Sequence, residues 1–80
     1  MNSLARKIVK VLEESPLGSN GIHLYTRQCE EAGINPEAIR PEQLPLLLQR
    51  LKVVLPLFAG SESEAIIRRI AAILSTPDKK

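Results

Sequence analysis

Eighty residues, 44% of them hydrophobic and 25% charged, fit one small domain that folds in water, and exclude both a low-complexity disordered segment and a chain built of membrane spans. Eleven Lys and Arg against nine Asp and Glu leave a formal charge of +2, and no basic block gathers them, which argues against a nucleic-acid module. One cysteine, one histidine, one tyrosine and one phenylalanine are too small an inventory for metal chelation, base stacking or most catalysis.

The first element is an amphipathic helix over about 3–14. Leu4, Ile8, Val11 and Leu12 recur at helical spacing, while Arg6, Lys7, Lys10, Glu13 and Glu14 take the other side. Asn2 or Ser3 can cap it, and Ser15-Pro16 ends it because the residue before proline avoids the α region. Residues 16–21 collect turn formers and read as a loop. A second helix follows over about 22–32, with Ile22, Tyr25, Cys29 and Ala32 on one face, Ser19 or Asn20 as its cap, and Gly33 as the stop.

Asn35 then stands as an N-cap before Pro36, and Ile34 and Ile39 have the spacing of a hydrophobic staple, so a short helical turn is expected over 36–39. Arg40-Pro41 interrupts it. The third helix begins at 42 or 45 and runs to about 58. Its main apolar row is Leu44, Leu47, Leu48, Leu51, Val54, Leu55 and Phe58, and a second row on a different side is Leu46, Val53 and Leu57. A helix apolar on most sides is normally central. Pro56 removes a hydrogen bond near its end and Gly60 marks the stop. Ser61 and Glu64 form a capping box ahead of Ile66, Ile67, Ile70 and Leu74, giving a fourth helix over about 62–75, and 76–80 reads as a polar tail. No segment alternates as a strand would. The expectation is one all-α domain over 1–75, orthogonal or bundle-like, with four main helices and a short turn packed around the Leu-rich third helix.

The candidate chemistry thins out on inspection. His23 and Cys29 lie six residues apart, about 120° out of phase on one helix, and a zinc site needs more ligands than one Cys and one His. The neighbouring carboxylates at 13/14 and 30/31 point apart on their helices, and those at 62 and 64 suit a helix N-terminus. Gly18 and Gly21 precede a helix without the strand or Lys-Ser/Thr of a phosphate loop. Neither a catalytic group nor a cofactor nor a metal is expected. A lone cysteine forms no internal disulfide, which suits a reducing cytoplasm. Arg6, Lys7 and Lys10 break any early apolar run, and Gln49, Arg50 and Lys52 break the apolar stretch 44–59, so neither a signal peptide nor a membrane insertion is expected.

The residues that stand out are Leu46, Val53 and Leu57, with Arg50 at their edge. Either the other helices cover this row together with the main one, or it forms an exposed strip for a second copy or a partner helix. The expectation is a non-enzymatic protein-interaction or regulatory adaptor module, with a homodimer as one form. The alternative is a small DNA-associated transcriptional regulator using Arg68, Arg69, Lys79 and Lys80.

Overall fold

The computed structural model describes residues 1–75; the tail expected at 76–80 and the side chains of Leu74 and Ser75 lie outside this description. Helix α1 spans Ser3–Glu13 and buries Ala5, Ile8, Val9, Val11 and Leu12. Asn2 caps it, its Oδ1 accepting the Ala5 N–H at 2.8 Å. The same residue reaches across the fold: its backbone N–H donates to the Glu37 carbonyl at 2.8 Å and its Nδ2 to the Ile39 carbonyl at 2.9 Å. Beyond the helix end, the Ser15 hydroxyl donates to the Leu12 carbonyl and accepts the Leu17 N–H.

The segment expected as a loop is a run of tight turns. The Ser15, Leu17 and Gly18 carbonyls accept in succession from the N–H groups of Gly18, Asn20 and Gly21. Gly18 takes φ +57°, the left-handed region that favours glycine. Helix α2, Asn20–Ala32, therefore starts two residues earlier than the sequence suggests, and Ser19 precedes it without a side-chain cap bond. Gly21 lies inside its first turn and is buried. A Cβ there would stand 2.8 Å from the Leu12 carbonyl carbon and 3.0 Å from the Glu13 nitrogen, so α2 begins almost in backbone contact with the end of α1.

Gly33 closes α2 at φ +76°, its N–H bonding the Glu30 carbonyl while the Ile34 N–H bonds that of Cys29. This paired arrangement is the Schellman ending, and it delivers Ile34 into the core. Asn35 then caps a turn as expected, accepting from the Glu37 N–H at 3.0 Å, and Ile39 is buried beside Ile34 in the core. Tyr25, fully buried on α2, fixes this connector by donating its hydroxyl to the Pro36 carbonyl at 2.5 Å.

A 3-10 turn, Pro41–Gln43, leads into α3, Leu44–Ala59, with Pro45 in its first turn and Pro56 inside it. A second 3-10 turn, Gly60–Glu62, with Gly60 at φ +57°, folds the chain back into α4, Ser63–Ser75. Ser61 thus sits within that turn, and α4 opens one residue later than expected. The helices form a closed circuit in which α1 packs on α2, α2 on α3, α3 on α4 and α4 on α1. Leu47, Leu51 and Leu55 of α3 meet Ile8 and Leu12 of α1, Tyr25 and Cys29 of α2, and Ile70 of α4 in one core. Among the described residues there is no strand.

Candidate functional site

The circuit leaves α3 packed chiefly on two neighbours, α2 and α4. At 100° per residue, Leu44, Leu47, Leu51 and Leu55 point into the core, and Leu46, Val53 and Leu57 point almost directly away from it. Nothing among the described residues covers them. Leu46 is 45% exposed, Val53 72% and Leu57 79%, which decides between the two readings of the second row: it is an outward strip. Of the eight exposed residues on α3, only Gln49 and Lys52 are polar; the others are Pro45, Leu46, Val53, Pro56, Leu57 and Phe58.

Phe58 corrects the sequence reading, which placed it in the buried row. It is 61% exposed although its direction around the axis is that of the buried row, and it lies in the last turn of α3. Its ring borders a shallow groove of about 400 Å³ whose other walls are Pro16, Leu17, Asn20, His23, Leu24 and Arg27. The period gave the direction of Phe58 around the axis but not how far along the axis its neighbours extend.

Arg50 stands at the edge of the strip, half-buried, and is held from the side. Its Nε donates to Gln28 Oε1 at 3.1 Å and its Nη2 to Glu31 Oε1 at 2.6 Å. Glu31 also accepts from Arg27 Nε at 3.2 Å. Gln28 is the buried polar residue of the core, 5% exposed, and the Arg50 guanidinium satisfies its oxygen. Arg50 therefore fastens α3 to α2 while its methylenes lie along the strip. A second groove, of about 260 Å³, follows this seam between Gln28, Leu46, Gln49, Arg50, Val53 and Val54.

The other chemically capable side chains do not converge. Cys29 is fully buried one turn from Tyr25; burial pushes the phenol well above its usual pKa and raises that of the thiol. His23 is exposed at the groove beside Phe58. Among the described residues no cluster of three or more His, Cys, Asp or Glu could hold a metal. Five arginines, 27, 40, 50, 68 and 69, each lie within 4.0 Å of a carboxylate, so their charge is balanced locally.

The continuous helical run Pro41–Ile73 is long and apolar enough, by length and hydropathy alone, to suit a membrane. Gly60 folds it in two, and α3, with 16 residues, is only about 24 Å long against the roughly 30 Å of a bilayer core. Compared with known protein families, curated proteins and solved structures, the chain matches none.

Proposed function

We propose that this chain is a non-enzymatic protein-interaction module of the cytoplasm, a regulatory adaptor that offers the outer face of α3 to another polypeptide. The observation that carries this reading is the exposure of Leu46, Val53 and Leu57 together on the outward side of one helix. The three present roughly 300 Å² of apolar surface, the size of the largest patch on a typical monomer, and such patches are often functional. A rigid helix on a packed scaffold lays that surface out at fixed spacing, which is what a partner helix reads. The DNA-associated alternative gains no comparable support: of its four bases, Arg68 and Arg69 are paired with Glu64 and Glu14, and Lys79 and Lys80 lie outside the described residues.

The test is photo-crosslinking in cells from a benzoylphenylalanine placed at Val53, with the same group at the exposed Arg68 of α4 as the control. Protein adducts of defined mass from position 53 and none from position 68 support the reading. Equal, diffuse labelling from both positions, or none from 53, overturns it.

A further inference from the structure

We propose that the occupant of this face is a second copy of the chain, with the two α3 helices antiparallel about a two-fold axis level with residues 51 and 52; this rests on the module reading above. The first support is the spacing. Leu46, Arg50, Val53 and Leu57 follow one another by steps of four, three and four, the alternation of a coiled-coil seam. That series reads the same from either end, so reversing one helix sets Leu46 against Leu57 of the partner subunit and Val53 against Arg50 of the partner subunit. A self-complementary strip is the condition for a closed two-fold contact.

Charge supplies the second support. No acidic residue lies on α3 between residues 44 and 59. Lys52 stands about 130° around the helix from the strip, out of such a contact. Arg50 is already bonded to Glu31 and Gln28, so it enters the seam neutralised, and two copies meet without like-charge repulsion. An acidic partner would find its natural contact already taken. The antiparallel arrangement sets each Arg50 against Val53 of the partner subunit, whereas a parallel one would set the two Arg50 side chains against each other.

Area sets the strength. With Gln49 and Arg50 added, the face offers roughly 400–500 Å² per copy against about 800 Å² for a standard interface. The dimer is therefore reversible, with dissociation in the micromolar range or weaker.

Sedimentation equilibrium of the purified chain from about 5 µM to 1 mM is the experiment, with circular dichroism as the check on folding. The wild type should pass from monomer to dimer. Val53→Lys, at a side chain 72% exposed, should keep the helical spectrum and weaken dimerisation by about a hundredfold, because it sets an ammonium against Arg50 of the partner subunit twice over, each buried like-charge contact costing at least tenfold; Leu57→Lys is the second variant. In a Cys29→Ala background, a mixture of Leu46→Cys and Leu57→Cys chains should form the mixed disulfide far faster than either chain pairs with itself. A wild type monomeric to 1 mM overturns the dimer, as do a folded Val53→Lys that still dimerises and a Leu57→Cys chain that pairs mainly with itself. A monomeric wild type whose Val53 crosslinks to a different protein sinks this proposal and leaves the module reading intact; the absence of any adduct from Val53 sinks both.

Discussion

Replacing Gly21 by alanine should destabilise the protein, although helix propensity alone says the reverse. In an ordinary helical position, alanine gains about 1 kcal/mol over glycine. Here the added methyl would lie 2.8 Å from the Leu12 carbonyl carbon, 2.9 Å from the Leu12 Cβ and 3.0 Å from the Glu13 nitrogen. Real contacts of that kind begin near 3.4 Å, so the start of α2 must retreat from α1 by several tenths of an ångström. Two of the three opposing atoms are backbone, and a rotamer change cannot clear them. The retreat loosens an interface that includes the fully buried Leu12. Overpacking of this sort costs about 1–3 kcal/mol, or more where backbone must move. After the propensity gain, a net loss of up to about 2 kcal/mol remains, which for a chain of this size lowers the melting temperature by up to roughly 16 °C. Thermal melts followed at 222 nm measure it. Adding Leu12→Ala should not restore the stability, because the nearest obstacle is the carbonyl carbon. A Gly21→Ala protein that melts at or above the wild-type temperature would refute the close approach of α1 and α2.

Leu51 is fully buried in the middle of α3, so Leu51→Ala should cost about 2–5 kcal/mol in denaturant unfolding; an unchanged midpoint would remove α3 from the core. Tyr25→Phe deletes the hydroxyl donated to Pro36 and should cost about 1–2 kcal/mol, seen as a lower urea midpoint at constant slope. Because burial raises the Cys29 thiol above its ordinary value of 9.0, the folded state holds that proton more tightly than the unfolded one. Its contribution is full below that value and lost as the pH rises beyond it, so the alkaline decline of stability should be shallower in Cys29→Ala than in the wild type. Glu14 shows the opposite sign. The Arg69 guanidinium, 2.8 Å away, holds its carboxyl below the ordinary 4.5, so its contribution is present above that value and fades as the pH falls through the lowered one. Urea titrations between pH 3 and 6 should show a flatter acid limb in Arg69→Ala, and parallel curves would dismiss the pair.

The helices were legible in the sequence because each carries its buried residues at the 3.6-residue period and ends at a residue with a mechanical reason to end it: Asn2 at one start, Gly33 and Gly60 at two stops. The turn at Asn35-Pro36 was equally readable, since its two isoleucines bracket the cap. The strip of Leu46, Val53 and Leu57 could be found but not placed, because periodicity gives a side chain's direction and not the number of neighbours on that side. Gly21 was hidden among turn formers: nothing in Gly18-Ser19-Asn20-Gly21 tells a glycine chosen for its dihedral freedom from one chosen for its missing side chain. The bridge from Arg50 to Gln28 and Glu31 depends on the relative register of two helices joined by eleven residues, 33–43, and no local pattern encodes that.

The connector between α2 and the turn at Pro41 has a consequence for how the chain tolerates change. Surface loops usually accept added residues cheaply, since their ends need only be joined. This one does not merely join ends. The carbonyls of Pro36, Glu37 and Ile39 are each claimed by Tyr25 or Asn2, and Ile34 and Ile39 are both buried on either side of them. Its length is therefore measured out like that of a buckle strap: one inserted residue would carry three acceptors out of reach and turn an isoleucine toward water. Within this fold, a stretch without regular structure is among the places least free to grow.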